Sequence, residues 1–158
     1  MLKEMLIQGL QDTEAYFNRS TACLTEEHSN FRPKNETMSV AQHVGHVAQT
    51  VEWFFAGAFD PAGFDLDFEA HAKQIEGLTS LDVARARLAK AFADGRATLA
   101  ECDDEQLREA LPAGPVMGGA PRLAIVSGIE DHTAHHRGAL TVYSRLQGLT
   151  PAMPYMDA

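Results

Sequence analysis

Asp131-His132-Thr133-Ala134-His135-His136-Arg137-Gly138 is the stretch on which the reading of this chain turns. It sets two histidines four residues apart inside a long helix-forming run, so that one imidazole stacks above the other on a single face. At about 100° per residue, His132 and His136 share a stripe with Ile125, Ile129, Leu140 and Tyr143, the side that must face a protein interior. Pro121 suits a first helical turn, and Gly148 and Pro151 stop the run, which predicts a helix over about residues 121–146. Two imidazoles in an apolar interior need partners for their ring nitrogens, or each costs ~1–3 kcal/mol. A shared metal ion gives both a partner at once. Hydrogen bonds to carbonyls or carboxylates would do the same, and this motif by itself leaves the two readings open.

Working outward, three more helices suggest themselves. Leu2, Leu6, Leu10, Thr13 and Phe17 recur at steps of three and four, which predicts a first helix over about 2–22. After a loop holding Pro33 and Asn35, Ser39 offers an N-cap and Gln42 completes a capping-box pattern. The second helix then runs over about 40–58, with Val40, Val44, Val47, Val51, Phe54 and Phe55 as its buried stripe. Phe59–Gly77 reads as a long connection, opened by the turn residues Asp60-Pro61-Ala62-Gly63 and continued by acids and aromatics; connections this long are often functional. A third helix, rich in Ala, Leu and Arg, is expected from near Ser80 to about Cys102. Pro112, Gly114, Pro115, Gly118 and Gly119 then break the chain before the fourth. Strand signals are weak throughout. The expected fold is all-α, one domain over residues 1–158, a four-helix bundle with one long connection between helices two and three.

Bundles build metal sites from side chains on facing helices, and the second helix carries a matching cluster, Gln42-His43-Val44-Gly45-His46-Val47. His43 lies about 70° from the centre of the apolar stripe and His46 about 130°. Phase therefore leans to His43, while Gly45 leaves room for a bulky group at the level of His46. His71, in the long connection, is a weaker candidate; His28 reads as a loop residue and His135 as a flank of the fourth-helix pair. Glu130 and Asp131 are candidate acceptors that could orient an imidazole. The i, i+4 spacing is that of the zinc helix of metalloproteases, but no HExxH glutamate accompanies it, so protease-like chemistry is not expected. Three histidines without a fourth protein ligand leave open coordination positions, the mark of a catalytic site.

Bulk properties narrow the function further. The 158 residues, 45% of them hydrophobic, suffice for a real core. A formal net charge of −9, from 22 acids against 13 Lys plus Arg, argues against a nucleic-acid partner, which would need clustered cations. No run approaches the ~18 apolar residues of a membrane span, so no membrane partner is expected. Lys3, Glu4 and Gln8 spoil any reading of Met1–Leu10 as a secretion signal. Cys23 and Cys102, far apart and outside any CxxC pair, read as two reduced thiols. A cytoplasmic setting is the resulting expectation.

Taken in order, the segments Met38-Ser39-Val40-Ala41-Gln42-His43-Val44-Gly45-His46-Val47, Gly57-Ala58-Phe59, Asp67-Phe68-Glu69, His132-Thr133-Ala134-His135-His136-Arg137-Gly138 and Tyr143–Tyr155 resemble the DinB-like superfamily of metalloenzymes over nearly the whole chain. The resemblance implies a four-helix bundle, commonly dimeric, with a three-histidine metal site. Its register, counted from Met38, places the second-helix ligand at His46 rather than His43, and its fourth-helix pair falls on His132 and His136. Two positions depart from the pattern: Ala139 follows Gly138 where Gln is frequent, and Met38 stands where an aromatic is frequent. Characterised relatives include thiol-dependent transferases and isomerases. The resemblance thus implies a divalent ion (zinc, nickel or iron, all of which accept imidazole) and a low-molecular-weight thiol with a small electrophile as substrates, or hydrolysis by activated water. A non-catalytic metal- or ligand-binding stress-response dimer is the competing expectation.

Overall fold

The computed structural model describes residues 1–156. Its elements are α1 (Leu2–Thr21), a short 3-10 turn (Glu26–His28), α2 (Val40–Phe59), α3 (Phe68–Glu76), α4 (Leu81–Glu101), α5 (Asp104–Arg108), a second 3-10 turn (Arg122–Ala124) and α6 (Ile125–Leu146). The four long helices are those expected from the sequence. They pack as a square in the order α1, α4, α2, α6, each helix against two neighbours, which makes the fold an all-helical four-helix bundle. Among the described residues the β-structure is one isolated bridge, Ala110 with Pro121. Among the described residues no helix is long and apolar enough to cross a membrane.

The stripes read from the sequence are the ones that meet. Val40, Val44, Val47, Val51, Phe54 and Phe55 of α2 are buried, as are Leu10 and Phe17 of α1 and Ile125, Ile129, Leu140 and Tyr143 of α6. Leu81, Leu88, Phe92 and Leu99 of α4 complete the core. At about 25 cal/mol per Å² of apolar surface removed from water, side chains of this kind contribute most of the folding free energy.

The start of α2 is fixed in register and tied to α3. Ser39 caps α2 as predicted: its hydroxyl accepts from the Gln42 N–H (3.3 Å), and the Gln42 side-chain oxygen accepts from the Ser39 N–H (2.9 Å). The Gln42 amide also donates to the Glu76 carbonyl (2.8 Å), joining the first turn of α2 to the end of α3. The connection after α2 is therefore not bare loop, since its second half is the helix α3. Asp67 caps that helix by accepting from the Ala70 N–H (3.0 Å). Gln49 of α2 holds α3 from below by donating to the His71 carbonyl (3.0 Å) and the Gln74 side chain (3.1 Å).

Candidate metal centre

Four histidines meet where α2 faces α6. The capping box fixes the helical register at Ser39, and from there the 3.6-residue repeat turns both His43 and His46 toward α6. From the opposite side, His132 and His136 project into the same seam. The rings of His46, His132 and His136 surround one point, with centroid separations of 4.9, 4.9 and 4.5 Å. One nitrogen from each lies within 4.8 Å of the other two. His46 Nε2 and His132 Nε2 are 3.2 Å apart, and the Thr50 hydroxyl lies 3.4 Å from the same His132 nitrogen. His43 approaches from the other side of His136, Nδ1 to Nδ1 at 2.9 Å.

Burial makes these imidazoles poor bases. His43 and His136 are almost fully buried and His46 and His132 partly so. Desolvation lowers His43 and His132 from the ordinary histidine value to about 4 and His136 to about 2; neighbouring imidazoles act in the same direction. Desolvation also lowers His46. The rings are thus neutral at physiological pH, the form in which imidazole is a metal ligand.

The donor set fits a divalent ion. Zinc–imidazole bonds of about 2.0–2.1 Å in a tetrahedral arrangement set two ligand nitrogens about 3.3 Å apart, close to the His46–His132 separation. Neutral imidazoles are the donors that zinc, nickel and iron share. The buried Nδ1 of His132 has no hydrogen-bond partner among the described residues, while its Nε2 faces His46 Nε2 and the Thr50 hydroxyl.

Two of the trio, His46 and His132, line a cavity of about 960 Å³. His46, Thr50 and Trp53 form its α2 wall, Gly128, Asp131 and His132 its α6 wall, and Phe68, His71 and Ile75 its α3 wall. Met38 and Phe54 add apolar surface, and Arg32 adds a cation to the lining. Trp53 is held by donating from Nε1 to the Asp65 carbonyl (2.7 Å). At Gly128 a Cβ would come within 2.8 Å of the Phe54 ring, so glycine there lets Phe54 close against α6. His71, a weak candidate from sequence, lines the cavity with Nε2 3.0 Å from the Asp65 carboxylate. That carboxylate is lowered below its usual range by the Asp67 N–H and then by His71.

The remaining candidates separate. His135 is exposed and touches His136 edge-on. His28 sits in the first 3-10 turn, where Nδ1 accepts from the Thr25 N–H (3.0 Å). Glu130 faces α1, its carboxylate over Gly9, and Asp131 stands on the cavity rim; among the described residues neither hydrogen-bonds an imidazole. Cys23 and Cys102 are free thiols. Thr50 and Trp53 belong to no sequence motif, although they stand four and seven residues after His46 and so share its face.

An all-helical bundle with a histidine cluster open to a pocket defines a class, and comparison with known proteins gives the family. The DinB family model matches residues 1–158, and the chain belongs to that family. Its fold is similar to that of YfiT from Bacillus subtilis, described as a probable metal-dependent hydrolase with an unusual four-helix bundle topology (TM-score 0.71, 18% identity, 94% of this chain and 89% of that one). It is similar also to a conserved protein from Enterococcus faecalis (TM-score 0.64, 16% identity, 90% of this chain and 95% of that one). No curated protein matches the chain by sequence.

Proposed function

We propose that this protein is a metal-dependent enzyme that holds one divalent ion on His46, His132 and His136 and acts on a small molecule in the adjoining cavity. The observation that carries this reading is the convergence of three neutral imidazoles beside an open, partly apolar pocket. Three protein ligands leave room for a further one, as catalytic sites do and structural sites do not. A divalent ion there lowers the pKa of a bound water or thiol and so supplies a nucleophile near neutral pH.

The chain's own residues set the conditions for that nucleophile. Burial keeps the three rings neutral, Thr50 offers a hydroxyl beside the His132 nitrogen, and Trp53, Phe54 and Phe68 give an apolar body of the substrate a wall. His71 adds a polar group to the pocket lining, its Nε2 3.0 Å from the Asp65 carboxylate. The description of YfiT supports hydrolysis; the chemistry implied by the sequence resemblance supports transfer of a low-molecular-weight thiol to an electrophile. A homodimer in the cytoplasm, without nucleic acid or membrane partners, is part of the same proposal. A non-catalytic binding protein would use the same pocket, and turnover separates the two readings.

The test is to load the purified protein with zinc, nickel or iron and screen two panels, activated esters and amides in water, and small thiols paired with electrophiles. Turnover in one panel that vanishes on chelation and in His132→Ala is the expected result. Turnover indifferent to both contradicts the proposal.

A further inference from the structure

His43 is the alternative ligand by helical phase, but its position in the structure gives it another task. Its Nδ1 lies 2.9 Å from Nδ1 of His136, and both rings are almost completely out of water. Two neutral imidazoles in such contact share one proton, so one nitrogen donates and the other accepts. The two arrangements are not equivalent for the site. If His43 donates, the remaining proton of His136 sits on Nε2, the nitrogen that would otherwise offer its lone pair to an ion. If His136 donates from Nδ1, its Nε2 is free.

Resting on the proposed metal binding by His46, His132 and His136, we propose that His43 is a positioning residue that accepts a hydrogen bond from His136 Nδ1–H and so fixes His136 in the tautomer and orientation that bind metal through Nε2. The surroundings favour this role over direct ligation. The cluster whose nitrogens lie within 4.8 Å of one another is His46, His132 and His136, without His43. The His43 ring is itself held, since Tyr143 packs on it edge-to-face (centroids 5.0 Å apart, planes at 89°) and the Tyr143 hydroxyl is anchored by donating to the Met38 carbonyl (3.1 Å). Metal-binding histidines usually donate the second ring proton to a carboxylate or carbonyl. Here neither adjacent acid serves, with Glu130 turned to α1 and Asp131 on the rim, and a neutral imidazole takes the place.

The experiment compares zinc affinity, by competition with a chromogenic chelator, in the wild type and in His43→Phe, His43→Asn and His136→Ala. Long-range ¹H–¹⁵N correlation spectra of the zinc-loaded wild type report which nitrogens carry protons. The proposal expects protonated Nδ1 on His136 and a 10–100-fold affinity loss in His43→Phe with one zinc still bound per chain. His43→Asn, whose side-chain oxygen replaces the acceptor, should recover to within a few-fold of wild type. Zinc affinity in His43→Phe within twofold of wild type, while His136→Ala has lost zinc, overturns this proposal and leaves the metal site standing. A cobalt-substituted His43→Asn protein whose visible spectrum shows one nitrogen ligand fewer than wild type overturns it too, by making His43 a ligand. Should His43→Phe not fold, the spectra and His43→Asn decide. Wild-type protein that binds no zinc overturns the proposal together with the metal site it rests on.

Discussion

Where α2 meets α4, Phe55 lies against Gly95, at which a Cβ would come within 2.5 Å of the ring, and α4 buries Leu81, Ala84, Leu88, Ala91, Phe92 and Leu99. Outside this seam Arg87 grips Glu52 with two nitrogens, at 2.6 and 3.0 Å. Where the same helix meets α6, it buries His43 beside His136 and places His46 against His132. One helix thus serves a seam that is apolar and closed and another that is polar and open to a cavity. The first gains free energy from every side chain it removes from water. The second gives up some of that gain to hold neutral imidazoles, and the buried Nδ1 of His132 there has no hydrogen-bond partner among the described residues. Helix α2 therefore owes its stability to α4 and its chemistry to α6.

The sharpest way to break this division is to damage the apolar core around α4 alone. Phe92 is fully buried, and Phe92→Ala should cost about 3–5 kcal/mol, a Tm fall of roughly 10 °C in a chain of this size. Zinc affinity measured well below that Tm should stay within a few-fold of wild type. A large loss of zinc from a still-folded Phe92→Ala protein would show that the seams are not separable.

A smaller effect belongs to the polar seam and to pH. In unfolded chain a histidine titrates near 6.5, whereas burial holds His43 and His132 at about 4 and His136 at about 2. Between those values the unfolded state binds more protons than the folded one, so stability rises with pH. The contribution is fully present above about pH 6.5 and drains away as pH falls toward 4. Metal-free protein should lose several degrees of Tm between pH 7.5 and 5, a window above the carboxylate range. A Tm unchanged across it would mean that the four rings are not buried neutral as described.

The legibility of the sequence obeys the same division. Repeats such as Val40, Val44, Val47 and Val51 name a helix and its buried side, because a closed seam needs apolar groups at every turn. The i, i+4 pair His132 and His136 is readable for the same reason, lying on α6's own stripe. His46 is not readable by phase, and the structure supplies the cause. A side chain at an open site stands at the edge of the stripe, facing the pocket, while His43 nearer the centre is the more buried of the two. Family resemblance, not periodicity, points to His46. Helix α3 escapes the sequence reading because its nine residues bury only Ile75, too little to leave a periodic signal, although Asp67 is there as its N-cap. The cavity could not be foreseen at all, since α3 forms one of its walls.

The central claim is that His46, His132 and His136 together hold one divalent ion. Its most direct test is the metal content of purified protein after dialysis and reloading with zinc, measured beside His46→Ala, His132→Ala and His136→Ala. The account predicts one ion per chain in the wild type and its loss in all three variants, each still helical by circular dichroism. Full occupancy in any one of the folded variants, or no stoichiometric metal in the wild type, would contradict it.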